Sequence, residues 1–252
     1  LRMLERCGSS LSRVLTGEQD PLQLLFPGGS FNEARKLYVD SPYAQTFNRT
    51  LAATLRESIS SLGEGAKLRI LEIGAGTGGT TSFVLPVLAA DKVEYVFTDV
   101  SPAFLASADE TFRDHPYLRR ALLDIERDPL EQGFEAASFD IVIAANVLHA
   151  TADLRSTLKR VRSLIAPHGQ LFLLEGVAPE RWVDLTFGLT EGWWHFSDRE
   201  LRPTYPLIAR ESWTSVLRES GFEAVVSVPG SAGNSRAAVQ QAMIVAALPA
   251  RR

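Results

Sequence analysis

Two side chains capable of proton transfer follow separate apolar runs in the second half of the sequence. His149 comes directly after 141-IVIAANVL-148, and Glu175 ends 171-LFLLE-175. Free imidazole has a pKa near ~6.5, so a histidine takes up a proton near neutral pH, and a carboxylate on its other ring N–H stabilises the imidazolium. The pair predicts a general base, His149, oriented by Glu175. A structural histidine and a solvated or helix-capping acid are the alternatives.

The other three histidines are weaker candidates for chemistry. His115 and His168 lie in polar surroundings and are expected at the surface, whereas His195 follows two tryptophans and is expected to line an acceptor pocket. Aromatic side chains there favour a lid that excludes water from a reaction. A contribution to the hydrophobic core is an equal alternative for each of them. The tryptophans of this segment are Trp182, Trp193 and Trp194.

A glycine-rich turn, 71-LEIGAGTGGTT-81, follows an apolar run. Glycines let a ligand approach the backbone closely, and the N-terminus of a following helix offers it unpaired N–H groups. Gly74, Gly76 and Gly79 satisfy the dinucleotide pattern G-x-G-x-x-G. The turn therefore predicts a cofactor site, with a tight turn that binds nothing as the alternative. A second pattern, E-x-G-x-G-x-G, is satisfied by Glu72, Gly74, Gly76 and Gly78.

Acids follow two further apolar runs. Asp99 ends 93-VEYVFTD-99, where a carboxylate is well placed to accept hydrogen bonds from the two hydroxyls of a ribose. Asp124 follows the short run 121-ALL-123. In an open α/β sheet, ligands bind outside the carboxyl ends of the strands, so these acids and the glycine turn are expected to face one crevice. A solvated turn acid is the alternative for each.

Short apolar runs alternate with helical periodicity from Lys67 onward. This alternation is typical of an α/β fold, a mostly parallel sheet with helices on both faces. One helix is predicted over 153–169, ended by Pro167 and Gly169. The strand candidates are LRILEI, VEYVFTD, FDIVIAANVL and QLFLLEG, followed by 223-EAVVSVP-229 and 241-QAMIVAAL-248 as an antiparallel pair at the sheet edge.

Residues 1–65 predict a short helical cap, broken at 27-PGGS-30 and continued by a helix after Pro42. Residues 66–252 are predicted to form the core, with an inserted lid segment around 179–208. Apolar residues at helical spacing are Leu1, Leu4, Leu11 and Leu15 in the first part of the cap and Phe47, Leu51, Leu55 and Ile59 in the second.

The composition sets limits on the class of protein. The 252 residues are 45% hydrophobic and 22% charged, with a net charge of −4, which gives no global reason to expect a nucleic-acid partner. No apolar run reaches the ~20 residues of a membrane span, and no signal peptide is evident, so we expect no membrane partner. The single cysteine, Cys7, excludes an intramolecular disulfide and favours a reducing compartment. We expect a cytoplasmic, monomeric domain, consistent with a piece of a larger polypeptide.

Several segments, in order, resemble the methyltransferase domains of modular type I polyketide synthases. They are 139-FDIVIAANVLHAT-151, 171-LFLLEGV-177, 187-FGLTEGWWHFSD-198 and 202-RPTYPL-207, and the resemblance extends more loosely to 21–30 and 37–42. It implies a class I methyltransferase, Rossmann-like fold that uses S-adenosyl-L-methionine and releases S-adenosyl-L-homocysteine. It also implies an acyl carrier protein with a phosphopantetheine-linked acyl chain, and the other synthase domains, as partners.

The resemblance also implies roles for the residues identified above. His149 and Glu175 correspond to the catalytic dyad, Asp99 to the acid on the ribose, and Asp124 to the acid on the adenine amino group. No metal is implied. The remaining implied cofactor residues are Glu72, Gly74, Gly76, Gly78, Asn146 and Tyr38, and the implied substrate residues are Trp193, Trp194 and His195.

The family has carbon-methylating and oxygen-methylating forms. Carbon-methylating domains carry a larger N-terminal lid, whereas about 65 residues precede the core here, so the sequence favours O-methylation of a β-hydroxyl or enol. The alternatives are C-methylation of the α-carbon of a β-ketoacyl chain, a non-catalytic scaffolding domain and a nicotinamide oxidoreductase. The last is weakened because the sequence has no characteristic Tyr-x-x-x-Lys pair. A basic rim for the carrier protein is predicted at Arg199, Arg202 and Arg210.

Overall fold

A computed structural model describes residues 2–61, 67–228 and 240–249. The predicted boundary between cap and core, at residues 65 and 66, lies outside the described residues, as do Leu1 and Pro229. Among the described residues, no helix is both long and apolar enough to span a lipid bilayer.

The centre of the fold is a mostly parallel sheet, as the alternation of elements predicted. Within the described residues it has seven strands in the order β3-β2-β1-β4-β5-β7-β6. The first five run parallel, and β7 is antiparallel to both β5 and β6, which confirms the predicted pair at the edge. The strands are β1 (Leu68–Ile73), β2 (Val93–Asp99), β3 (Leu118–Leu122), β4 (Phe139–Ala145), β5 (Ile165–Gly176), β6 (Ala224–Val228) and β7 (Gln241–Ala247).

Helices cover both faces of the sheet. Because side chains alternate along a strand, Ile141 and Ile143 of β4 join one buried cluster, and Val142 and Ala144 join the other. The helices are α1 (Arg2–Ser9), α2 (Leu11–Leu15), α3 (Pro21–Leu25), α4 (Asn32–Val39), α5 (Pro42–Ser61), α6 (Thr81–Val84), α7 (Pro102–Thr111), α8 (Leu154–Leu164), α9 (Arg181–Asp184) and α10 (Arg210–Glu219).

Helices α5 and α8 pack against opposite faces of the sheet. The α5 residues Phe47, Leu51 and Leu55 of the predicted stripe are buried in the cluster of Ile141, and the α8 residues Leu158 and Val161 are buried in the cluster of Val142. The first predicted stripe of the cap does not form a continuous buried face. Leu15 is 75% exposed, and the buried cluster of this part of the cap consists of Cys7, Leu24 and Leu25.

The predicted end of the helix over 153–169 is wrong. Helix α8 stops at Leu164, and Ile165 already pairs with Phe139 as the first residue of β5. Pro167 and Gly169 therefore lie in the strand, where the register with β4 shifts. Ladder pairing with a buried neighbouring strand outweighs the local helical pattern, because propensity is a weak preference that tertiary contacts override.

Candidate active site

The carboxyl ends of β1, β4 and β5 meet at one edge of the sheet. The register places Ile73 beside Ala144 and Ala145 beside Leu174, so the residues that follow these strands emerge together. The strand order changes direction between β1 and β4, and such a switch point opens a crevice for ligands. The glycine turn and the two predicted catalytic residues share this edge.

His149 and Glu175 form a closely bonded, buried pair. Nδ1 of His149 lies 2.6 Å from Oε2 of Glu175, and the two residues are 9% and 0% exposed. The other carboxylate oxygen accepts hydrogen bonds from the backbone N–H groups of Val147, at 3.1 Å, and Leu148, at 2.8 Å. Glu175 thus holds both the imidazole and the backbone that carries it. The contact to Glu175 uses only Nδ1 of the ring and leaves Nε2 outside it.

The chain bends sharply between β4 and His149. Asn146 has φ 52°, in the left-handed region that asparagine adopts more readily than most residues, and residues 148–150 form a 3₁₀ turn. The Asn146 side chain accepts a hydrogen bond from Nε2 of Gln241 in β7, at 3.0 Å. This bend turns the backbone across the end of β5 and brings His149 to Glu175.

The glycines of the turn are needed for different structural reasons. A Cβ atom on Gly74 would lie 2.2 Å from a methyl carbon of Val147, and one on Gly78 would lie 2.5 Å from the Phe112 ring. A Cβ atom on Gly79 would lie 3.0 Å from Tyr38. These three glycines allow the protein to pack on itself. Around Gly76 the nearest atom would be 3.9 Å away, so Gly76 is the glycine that faces open space.

Asp99 connects the end of β2 to the glycine turn. Its Oδ2 accepts a hydrogen bond from the backbone N–H of Gly76 and its Oδ1 accepts one from Ser101, both at 2.9 Å. Burial raises the pKa of Asp99, and the backbone donors act in the opposite direction. The carboxylate therefore sits beside Gly76, where a ribose was predicted to bind.

Glu72 is a buried acid beneath the turn. The hydroxyls of Thr81 and Tyr95 both donate to its Oε2, at 2.5 and 2.6 Å, and the residue is 1% exposed. Burial raises the pKa of Glu72 to about 7, although the two hydroxyl donors lower it. Glu72 therefore links β1, β2 and α6 as well as lining the cavity described next.

A cavity of about 770 Å³ lies over this edge of the sheet. That volume is within the usual range of small-molecule sites. Its polar wall combines the glycine turn with groups from three strand ends, and its apolar wall comes from the cap and the loop after β3. The predicted site residues that line it are Tyr38, Glu72, Gly74, Gly76, Asp99, Asn146, His149 and Trp193.

Tyr38 brings the cap to the dyad. It lies in α4, lines the cavity, and its ring centroid is 6.3 Å from that of Phe187. Burial and the nearby Glu175 carboxylate raise the pKa of Tyr38 to about 12, so its phenol stays protonated at neutral pH. The Tyr38 carbonyl accepts a hydrogen bond from Asn48, whose side-chain oxygen accepts one from Thr80 of the turn.

Only one of the paired tryptophans faces the cavity. Trp193 is 9% exposed and meets the His149 ring edge-on, with 5.1 Å between the centroids. Trp194 is 45% exposed and donates to the carbonyl of Gly188, and His195 is exposed. Neither Trp194 nor His195 lies on the cavity wall, because a 3₁₀ turn points adjacent side chains in different directions.

Asp124 also lies off the cavity wall. Its Oδ1 accepts a hydrogen bond from the N–H of Glu126 within its own turn, at 2.9 Å. The neighbours on either side, Leu123 and Ile125, are buried and line the cavity instead. This alternation of apolar residues around Asp124 is visible in the sequence, but the sequence analysis did not predict that Leu123 and Ile125 line the cavity. Gly78 lies off the wall as well, because its space is filled by Phe112.

The predicted basic rim is not a single surface. Arg202 is 0% exposed, which removes it from any docking surface, while Arg199 is exposed and Arg210 is half-buried. No local pattern indicated that Arg202 is buried, because the carbonyl groups that surround it come from residues about 50 positions earlier.

The comparisons with known proteins agree with this geometry. Residues 71–171 match a family model described as a methyltransferase domain. The chain is 40% identical over 232 residues to the polyketide synthase ThaQ of Burkholderia thailandensis, covering 89% of this chain and 11% of ThaQ. It is 50% identical to the CurJ carbon methyltransferase structure, with a TM-score of 0.95, over 98% of this chain and 66% of that chain.

The chain is a methyltransferase domain of the polyketide-synthase type. It has the class I, Rossmann-like fold, and its cofactor is S-adenosylmethionine. A further relative, the trans-methyltransferase CalH, was solved in complex with SAH; it is 35% identical, with a TM-score of 0.77, over 96% of this chain and 66% of CalH. The domain spans about a tenth of the polyketide synthases and two thirds of the solved methyltransferase chains that it matches.

The cavity of the methyltransferase domain has the chemistry that the cofactor requires. Gly76 leaves space beside the backbone, and Asp99 offers a carboxylate beside that space. The cavity also has an apolar slot suited to a flat base, formed by Phe26, Val100, Phe104, Leu123 and Ile125. The residues present therefore fit an adenosine-containing cofactor.

Proposed function

We propose that this domain methylates the α-carbon of a β-ketoacyl thioester carried on the phosphopantetheine arm of an acyl carrier protein. The observation that carries the proposal is the buried His149–Glu175 pair, 2.6 Å apart, in which His149 lies on the wall of the cavity. The 50% identity to a carbon methyltransferase supports carbon as the acceptor atom.

The length of the N-terminal region does not favour oxygen over carbon. The expectation of O-methylation rested on the short cap. The CurJ carbon methyltransferase aligns with nearly all of this chain and extends beyond the match, so a short cap here is compatible with the carbon form. Nothing in the described site favours O-methylation, and we place the carbon reaction first.

His149 is the group that removes the proton. An α-carbon between a ketone and a thioester is acidic enough for a neutral imidazole to deprotonate it. The proton passes to Nε2, and the electrons of the Cα–H bond form the enolate. Glu175 then bonds an imidazolium through Nδ1 and stabilises the positive charge. S-adenosylmethionine, held by Gly76 and Asp99, would supply an activated methyl group from its sulfonium to the enolate carbon and would leave as S-adenosylhomocysteine.

Aromatic residues and the cap exclude water around the base. Trp193 covers one edge of the imidazole, and Tyr38 and Phe187 close the cavity from the cap and lid sides. Low local polarity strengthens the His149–Glu175 interaction and keeps the enolate from bulk water. The protonated Tyr38 phenol is a hydrogen-bond donor near this charge.

Product analysis tests the proposed acceptor atom. The domain is incubated with labelled methyl donor and either a β-ketoacyl or a β-hydroxyacyl carrier protein, and mass-spectrometric fragmentation locates the methyl. An α-methyl product from the ketoacyl substrate is expected. A methyl ether from the hydroxyacyl substrate alone would overturn the carbon assignment and restore the oxygen reading.

The dyad variants test the proposed base. We expect His149→Ala to lower turnover roughly 10²–10⁴-fold with cofactor affinity unchanged, the usual range for a positioned base, and Glu175→Gln to cost less. The control is His115→Ala, because His115 bonds Tyr117 away from the cavity wall. Single-turnover assays and calorimetry measure the two quantities. Near-normal turnover in His149→Ala would mean that another group is the base.

A further inference from the structure

Arg202 is a fully buried arginine next to the turn that carries the base. It follows the lid tryptophans by eight or nine residues, and it is 0% exposed. An arginine is almost never fully buried unless its charge and donors are matched. The groups that match it therefore indicate what the side chain holds.

Three of those groups are backbone carbonyls of the 149–152 turn. Nη1 of Arg202 donates to the carbonyl of His149 at 2.8 Å, and Nη2 donates to those of Thr151 at 2.8 Å and Ala152 at 3.0 Å. One planar guanidinium thus donates to the backbone carbonyl of His149 and to those of Thr151 and Ala152, which lie between His149 and α8.

Asp198 supplies the charge partner and extends the contact to α8. Its Oδ1 accepts a hydrogen bond from Nε of Arg202 at 2.5 Å, and its Oδ2 accepts one from the N–H of Leu154 at 3.0 Å. The N–H of Ser197 donates to the Ala152 carbonyl at 2.8 Å. The lid residues 197–202 therefore hold the turn and the first residue of the helix together.

We propose that Arg202 is a positioning residue that, through the His149 carbonyl, holds the imidazole at Glu175. Glu175 binds the N–H groups on one side of the turn, and Arg202 binds the carbonyls on the other. The backbone of His149 is fixed between them. The role rests on the proposed function, in which His149 is the base.

The geometry of the guanidinium explains why lysine is a poor substitute. Arginine presents five donors in a rigid plane, whereas lysine has three on one atom and cannot reach the same carbonyls and Asp198 together. An error of about 1 Å at a reacting group costs about 100-fold in rate. Arg202→Lys keeps the buried charge for Asp198 while loosening the turn.

Arg202→Lys and the control Arg181→Lys test the proposal. Arg181 lies in the same inserted segment, but it is exposed and does not line the cavity. On a short β-ketoacyl pantetheine thioester, we expect Arg202→Lys to lower kcat about 10–100-fold with the KM for S-adenosylmethionine unchanged, and Arg181→Lys to match the parent domain. An unchanged kcat, or equal loss in kcat and cofactor affinity, overturns the proposal.

A readout independent of turnover separates this proposal from the proposed function. Proton NMR follows the far-downfield resonance of the His149 Nδ1 proton, which the short bond to Glu175 produces and which is assigned by its loss in His149→Gln. We expect the resonance to shift or broaden in Arg202→Lys and to remain in Arg181→Lys, with both variants folded by circular dichroism. An identical resonance in Arg202→Lys overturns the positioning role. If the parent domain transfers no methyl to carbon, the proposed function fails while the NMR result still tests Arg202.

Discussion

Gly76 is the residue of the glycine turn at which we expect the cofactor to approach the backbone, because it faces the open space of the cavity. Its neighbours Gly74, Gly78 and Gly79 are small because Val147, Phe112 and Tyr38 pack against them. The glycine pattern therefore combines one position that faces the cavity with three positions that pack against the protein. We expect substitution of the three packing glycines to damage the fold and substitution of Gly76 to damage cofactor binding.

We expect Gly76→Val to abolish S-adenosylmethionine binding, because its side chain would enter the cavity beside Asp99. Gly76 has φ 54°, so backbone strain is a second effect of the substitution. Gly17→Val is the matched control, since Gly17 has φ 77° with no atom within 4 Å of a Cβ atom. Calorimetry of binding and thermal melts separate the effects. Retained affinity in a folded Gly76→Val would exclude this cofactor site.

Because the pKa of Glu72 is raised, we expect the free energy of unfolding of the domain to depend on pH. The Glu72 pKa of about 7 in the folded protein exceeds the ordinary 4.5, so the folded state keeps a proton that the unfolded state loses. The stabilisation is full below about pH 4.5 and is lost as the pH rises through 7. Glu72→Gln stays neutral at every pH and still accepts from Thr81 and Tyr95.

The free energy of unfolding of Glu72→Gln, relative to the parent domain, should therefore increase from pH 5 to pH 8. We expect a change of about 2 kcal/mol, since each unit of pKa displacement corresponds to about 1.4 kcal/mol. Urea unfolding at four pH values measures it. Glu131→Gln, at an exposed position, should show a flat difference. A flat difference for Glu72→Gln as well would mean that the acid is ionised in the folded protein.

At the scale of elements, the site depends on the cap as much as on the sheet. Phe26 and Phe31 of the cap meet Phe104 of α7, with centroids 6.5 and 4.3 Å from that ring. Phe26 and Phe104 line the apolar slot, and Phe31 packs on both. The cap and α7 therefore shape the same end of the cavity.

We expect Phe31→Ala to weaken S-adenosylmethionine affinity about 2–10-fold without blocking methyl transfer. Each aromatic contact is worth about 0.5–1.5 kcal/mol, and the two rings that line the slot lose their common neighbour. Leu22→Ala is the control, since Leu22 lies in the cap and is 52% exposed. Calorimetry gives both affinities. Equal affinities for the two variants would show that the cap does not shape the slot.

At the scale of the whole molecule, the net charge of −4 means that attraction of an acidic carrier protein would depend on local basic groups. Arg199 is exposed beside the lid segment that carries Trp193, and it lies over the Phe196 ring at 4.4 Å. Its docking role remains a prediction. Arg202 has a different role, because its charge is matched inside the protein by Asp198.

Charge reversal at Arg199 tests docking. We expect Arg199→Glu to lower turnover of carrier-bound substrate several-fold, most strongly at low ionic strength, and to leave a small pantetheine thioester unaffected. Arg13→Glu, an exposed arginine on α2, is the control for a general charge effect. Initial rates on both substrates over a salt series provide the measurement. The same loss on both substrates would remove Arg199 from the docking surface.

The sequence by itself determined the features that depend on neighbours along the chain. The strand runs before Gly74, Asp99, His149 and Glu175 are recognisable from short apolar stretches, and parallel strands place their carboxyl ends at one edge. That was enough to predict a cofactor turn and a base with its acid. The acceptor atom could not be predicted in the same way, because the length of the cap carries no chemical information about the substrate.

Only the tertiary structure decided which residues face the cavity and which face the protein. Trp193 and Trp194 are adjacent, yet one touches His149 and the other is exposed, because the direction of each depends on distant packing. Arg202 is buried because the carbonyls of a turn about 50 residues earlier accept its donors. Such partners meet only after the chain folds, and no local pattern of residue types records them.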